Sequence, residues 1–307
     1  MKKLLIVCSL ALLGLQNVSA QNEDTWIPQQ LGIGVGVGTT GIVIDLSTTM
    51  NRWLGVRAGV DIFPEIKVNT DLDLGTQGLN DDFQDMTDRA NKINQAAGST
   101  IIDLSGLPNG LPESMGVQGK LSNTTFHLLV DVYPFKNSSF HATTGFYIGG
   151  KELVSVYNKE DGFLKPVTQW NEAVLNPSSL PVAAQGYVKD QSIIGAELGD
   201  YFIAPNPAEQ GNVKATIEVG AFRPYLGIGF GRAVPRKSRV GCQFDLGVQF
   251  WGSPKVYAPT YNETTGKYQK EQLTDDHAGS DGGDIIKTIS KIPVYPTLNF
   301  RLVGRIL

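Results

Sequence analysis

Ionisable side chains recurring with a period of two carry the most chemical information in this sequence. Asp45, Arg57, Asp61, His127, Asp131, Asp245, Arg301 and Arg305 all fall on the polar positions of segments whose alternate positions are apolar, with Gln243 among them. A strand sends successive side chains to opposite faces, so this parity gathers the charges on one side of a sheet. If that sheet closes into a narrow barrel, isolated charges inside it are costly and paired ones satisfy each other. A paired ionic plug is therefore the expected state of this group, with a conducting pore as the alternative.

Other constellations carry less. Asp275, Asp276, Asp281 and Asp284 place hard oxygen ligands near one another and remain the candidate cation ligands, but they lack the ligand order and closing Glu of an EF-hand. The preferred reading is a solvated acidic loop, and no metal is assigned. Asp71, Asp73, Asp81 and Asp82 fail the same motif. The run from Gly36 to Gly41 matches G-x-G-x-x-G, yet a dinucleotide site needs a helix N-terminus next, and Ile42, Val43, Ile44, Asp45 and Leu46 alternate as a strand. A glycine-rich hairpin is expected there. Only three histidines occur and no G-x-S-x-G, so neither an enzyme nor a cofactor is expected.

The elements that position these residues read as strands. Even positions from Cys242 to Phe250 are apolar, while odd ones are Gln, Asp or Gly, and similar alternation runs through 42–46, 54–62, 125–132 and 298–306. Eight strands are predicted, at about 31–38, 41–49, 52–66, 118–135, 138–150, 213–231, 239–256 and 292–307. Short turns near 49–52, 136–139 and 234–239 contrast with long insertions at 69–117, 151–212 and 257–290, well beyond ordinary loop length. Met86, Ala90, Ile93 and Ala97, with Gly98 as a stop, predict a short helix in the first insertion.

Composition sets the class. The chain has 307 residues, 35 of them Gly, and 18% charged side chains. Lys2 and Lys3, an apolar run from Leu4 to Leu15 and Val18-Ser19-Ala20 read as a signal peptide over 1–20, followed by a short segment at 21–30 and a barrel domain at 31–307. Loss of that peptide removes Cys8, leaves Cys242 as a lone thiol and leaves 24 basic against 30 acidic side chains. Nucleic acid is not an expected partner at that sign. The acids concentrate in the insertions, eight against two basic residues in 69–117 and six against three in 257–290, whereas Arg232, Arg236, Lys237 and Arg239 crowd one short turn.

A soluble calycin-like barrel would carry Lys and Glu on its water-facing side. Here the polar face holds Gly, Gln, Asn and single charges, the apolar face holds none, and Trp53, Tyr133, Phe135 and Phe140 flank short turns where an aromatic girdle would lie. Leu129 to Lys136, Phe222 to Gly231 and Phe244 to Val256 resemble segments of small Gram-negative outer-membrane β-barrel proteins of the OmpW/OmpA-like kind, and Gly38 to Gly41 resembles their first hairpin. The chain closes on Leu307 where such proteins commonly carry an aromatic. The resemblance implies an all-β, eight-stranded antiparallel transmembrane barrel with short periplasmic turns and three long extracellular loops. It further implies export to the outer membrane, outer-membrane lipid as environment, and periplasmic chaperones and barrel-assembly machinery as biogenesis partners. The expected function is a non-enzymatic structural or surface-recognition role carried by the long loops, with an extracellular ligand or cations at their acids. A narrow channel for small cationic solutes and a secreted calycin-like binder are the alternatives.

Overall fold

A computed structural model describes residues 30–135 and 137–306. The expected signal peptide, residues 21–29, Lys136 and Leu307 lie outside the described residues, as does the side chain of Asp281. The first strands are β1 (Gln30–Gly38), β2 (Gly41–Thr49), β3 (Leu54–Asp73), β4 (Ser114–Val132) and β5 (Phe140–Gly149). Next come β6 (Glu152–Asn158), β7 (Ala196–Leu198), β8 (Tyr201–Ile203) and β9 (Lys214–Glu218). The last are β10 (Phe222–Phe230), β11 (Val240–Phe250), β12 (Lys255–Asn262), β13 (Lys267–Leu273) and β14 (Val294–Arg305).

Eight of these close a barrel. Antiparallel pairing runs β3–β2–β1–β14–β11–β10–β5–β4 and returns from β4 to β3, so the barrel has no open edge. Gly32 opposes Arg305, which puts the start of β1 and the end of β14 at the end that holds the short turns. Outward positions are predominantly apolar: Ile33, Val35 and Val37 on β1, Leu226, Ile228 and Phe230 on β10, Phe244 and Leu246 on β11, and Leu298, Phe300 and Leu302 on β14 are all exposed. No Asp, Glu, Lys or Arg interrupts that face between the two ends of the barrel. Among the described residues no helix is long and apolar enough to cross a membrane, so a membrane crossing falls to the strands.

Inward positions carry mainly polar side chains, tyrosines and glycines, with Val43, Leu129 and Val303 among them. Close approach requires the glycine at Gly34, where a Cβ would lie 2.5 Å from Arg301 Nη2 and 2.6 Å from Asp45 Oδ1. Gly247 serves the Tyr225 ring in the same way. β1 thus supplies space rather than side chains.

The long insertions are built rather than open, and this departs from the expected strand limits. β3 and β4 run past a register shift between Phe63 and Ile66 and continue their pairing to Asp73 and Ser114. β4 then pairs with β6, β6 with β9 and β9 with β12, which also pairs with β13 and β8. The predicted strand 213–231 is two, because Val219 and Gly220 donate to Lys151 and Trp251 carbonyls where the barrel ends. Arg223 fixes this junction by donating to Gly220 O at 2.8 Å and Gly150 O at 2.7 Å.

Helices α1 (Gln77–Ala97), α2 (Lys165–Leu175), α3 (Val182–Val188) and α4 (Gly279–Ser290) complete this annex. The predicted short helix is the 21-residue α1, of which Met86 and Ala90 are buried, and Gly98 ends it in the left-handed region at φ 67°. Leu164, which caps α2, and Val167, Trp170 and Ala173 within it pack with Ala184, Val188, Leu111 and Met115, with Leu79 and Phe83 of α1 against them. A second cluster joins Tyr201, Ala258, Leu273 and Ile286. The annex therefore has apolar cores of its own, separate from the barrel interior. Trp170→Ala should cost about 3–5 kcal/mol of annex stability. Limited proteolysis should then find new cuts within 165–188 while the barrel keeps its heat-modifiable gel mobility.

Candidate functional site: lumen network and long-loop cleft

Barrel diameter decides what the interior can be. Eight strands leave room for side chains and little more. At mid-height Arg57 of β3 spans the lumen, with Nη2 at 2.7 Å from Asp131 of β4 and Nη1 at 2.8 Å from Asp245 of β11. Thr143 donates to Asp131 at 2.8 Å, and His141 Nε2 stands 2.8 Å from Asp245. Gln243 then links the two halves, donating to Asp131 at 3.2 Å and accepting from Arg301 Nη1 at 2.5 Å. Arg301 also reaches Asp45 at 2.5 Å. Toward the long-loop end, His127 meets Asp61 at 2.5 Å, and Thr40 donates to Asp61 at 2.7 Å and approaches Asn299.

These groups form one lattice, drawn from β2, β3, β4, β5, β11 and β14, whose two parts meet where His127 Nε2 lies 3.8 Å from Asp45 Oδ2. Its four carboxylates, Asp45, Asp61, Asp131 and Asp245, face two guanidiniums and two imidazoles, and all eight residues are buried. The gap left among them has a volume of about 10 Å³, on the order of the space one water needs. Asp131, His141 and Asp245 offer ligand atoms within 4.8 Å of one another. Arg57 binds both of those carboxylates, so a cation already holds the place a metal would take.

Aromatic side chains flank the lattice, and its short-turn end is covered. Leu129, Tyr147 and Tyr225 cluster beside it, with Tyr147 and Tyr225 rings 5.5 Å apart. At the short-turn end Ala233, Val234 and Pro235 tuck into the opening, where Tyr133 OH accepts from Ala233 N at 2.7 Å. Arg232 stacks over the Tyr133 ring at 4.6 Å.

Arg305 does not join the lattice. Its parity is right, but it lies at the rim, half-buried, and donates to Arg236 O at 2.9 Å. Tyr133 likewise departs from the expected girdle, since it is buried inside the mouth, whereas Phe135 and Trp53 stay exposed. His141 and Thr143 were not singled out in the sequence; Phe140, Phe146 and Ile148 carried the signal, because they fix the opposite parity of β5.

The acidic candidates are also redistributed. Asp284 lies on α4 rather than in an open loop, Asp275 and Asp276 are exposed before it, and among the described residues they gather into no group of three potential metal ligands. Glu197, Asp200, Glu263 and Glu271 line a 480 Å³ cleft together with Tyr201 and Tyr261, and among the described residues they too form no group of three potential metal ligands. Lysines and arginines are absent from that lining among the described residues.

A closed antiparallel barrel with an apolar outer face and an enclosed ionic interior defines the class: an eight-stranded transmembrane β-barrel. Neither a protein-family model nor a curated protein sequence matches the chain. Among solved structures it is similar to Acinetobacter baumannii CarO, at 12% identity over 92% of this chain and 99% of that one, with a TM-score of 0.40. CarO2 of the same organism matches at 14% identity, 91% and 99% coverage and a TM-score of 0.41. A major outer membrane protein from Thermus thermophilus matches at 13% identity, 90% and 98% coverage and a TM-score of 0.34.

Arg57→Ala leaves Asp131 and Asp245 as buried charges without their shared partner. The folded barrel should lose about 3–5 kcal/mol, read as a lower urea midpoint in lipid vesicles. Lys270→Ala, which removes an exposed pair with Glu218, should change it by less than about 1 kcal/mol.

Proposed function

We propose that the protein is an integral outer-membrane barrel whose lumen is sealed and whose work is recognition by the ordered annex at its long-loop end. One observation carries this reading: the gap within the ionic lattice is only about 10 Å³, with Arg57 and Arg301 paired to carboxylates across it, while the annex holds two apolar cores and an open cleft of 480 Å³. A solute path through the lattice would have to break buried ion pairs that nothing else in the barrel replaces. The outward apolar band supports residence in a bilayer. The acidic annex and the basic short-turn end, with Arg232, Arg236, Lys237 and Arg239, support an orientation that puts the annex outside the cell.

The role is non-enzymatic in this reading. His127 and His141 are buried in the lattice, each with one ring nitrogen on a carboxylate, away from any surface a substrate reaches. The acids of the annex would concentrate cations or cationic groups within about 8 Å, the Debye length at physiological salt. Folded protein in planar bilayers should show no unit conductance, and an epitope inserted between Gly98 and Gly106 should be reachable on intact cells. Steady cation-selective steps would support the channel instead, and labelling only after permeabilisation would invert the orientation.

A further inference from the structure

A partly open cavity of 200 Å³ lies at the long-loop mouth of the barrel, directly above the ionic lattice. Its floor includes Thr40, whose hydroxyl is already bonded to Asp61, and its walls include Phe63, Leu153, Trp251 and Tyr295. The polar ends of the two large aromatics are engaged elsewhere: Trp251 Nε1 donates to Ile292 O at 2.8 Å and Tyr295 OH to Thr39 O at 2.6 Å. Their rings stack with centroids 4.9 Å apart, so what they offer the cavity is ring surface.

Two polar groups in the lining are unspent. Gln249 is 2% exposed and its carboxamide makes no side-chain hydrogen bond among the described residues. Asn123 Oδ1 is buried without a partner. Buried amide groups are nearly always hydrogen-bonded, and leaving them unpaired is unfavourable. Asn123 Oδ1, the buried unpartnered atom, and the Gln249 carboxamide line one apolar cavity, and a bound molecule would engage both.

We infer that this cavity is a binding site for a small neutral molecule with a single aromatic ring and an N–H or O–H donor. Volume sets the ring count, since an apolar cavity of about 150 Å³ accommodates benzene. Asn123 Oδ1 asks for a donor, and Gln249 can give or accept. Neutrality follows from the walls: among the described residues no Asp, Glu, Lys, Arg or His lines the cavity, and a charge there would be desolvated without a counter-ion. The sealed lattice below makes the site a dead end, so the ligand is bound and released from the same side.

Benzamide is the direct probe, titrated into the full-length protein in nanodiscs with empty nanodiscs as the blank. Saturable binding is expected for benzamide, with benzoate, the charged molecule of the same shape, at least tenfold weaker. Gln249→Leu should weaken benzamide about tenfold, the loss of roughly one hydrogen bond, and leave toluene unchanged. Leu153→Trp, checked for folding by heat-modifiable mobility, should abolish binding by filling the cavity. Absence of saturable benzamide binding up to millimolar concentration would overturn the inference, as would equal affinity for benzoate or undiminished binding to a folded Leu153→Trp protein. Where Leu153→Trp does not fold, the benzamide and benzoate comparison on the native chain decides.

Discussion

A guanidinium enclosed in a space with almost no water must be ringed by acceptors, and the arrangement around Arg57 is the constraint on which the barrel depends. Its contacts at 2.7 Å to Asp131 and 2.8 Å to Asp245 tie β3 to β4 beside it and to β11 across the lumen. Those carboxylates in turn need His141, Thr143 and Gln243, and Gln243 needs Arg301. Each addition brings another strand into the lattice. Glycine at Gly34 then becomes necessary, because Arg301 and Asp45 fill the volume its side chain would take.

The buried ionic lattice fills the middle of the barrel. With the interior spent on charge pairing, the chain places its remaining apolar side chains in two regions. One is the outer band, which only a bilayer would cover. The other is the annex, where β3 and β4 prolong the barrel wall into a sheet that α1 and α2 can pack against. The same hydrogen-bonded strands therefore carry rigidity from the ionic lattice to the surface that bears the clefts, so a recognition surface on long insertions need not be mobile.

Much of this was legible in the sequence, and the reason is the period of a strand. Where outward residues are large and apolar, as in β2, β11 and β14, parity alone assigned Asp45, Asp245 and Arg301 to one enclosed face. β5 was harder to read because Ala142 and Thr144 dilute its outward face, and His141 stayed unassigned. Parity also says nothing about height along a strand, which is why Arg305 reads as a lattice member yet lies at the rim bonded to Arg236. The annex was the least legible part. Lys214 to Glu218 carries its apolar residues, Ala215 and Ile217, at odd positions, whereas β10 carries Phe222, Leu226, Ile228 and Phe230 at even ones, so the segment read as one strand changes parity where Val219 and Gly220 make their long-range bonds. Likewise the cleft acids Glu197, Asp200, Glu263 and Glu271 come from separate elements, a shared lining that no local spacing encodes.

The most direct test of the account is a double-mutant cycle between Arg57 and Asp245, measured as unfolding free energy in lipid vesicles. Arg57→Met and Asp245→Leu each strand a buried charge, whereas together they leave a smaller imbalance around Asp131 and His141. The account predicts strong coupling, with the double variant less destabilised than the sum of the singles by more than about 1.5 kcal/mol. Additivity within about 0.5 kcal/mol would show that the two residues do not share a desolvated pair, and would contradict the sealed lumen.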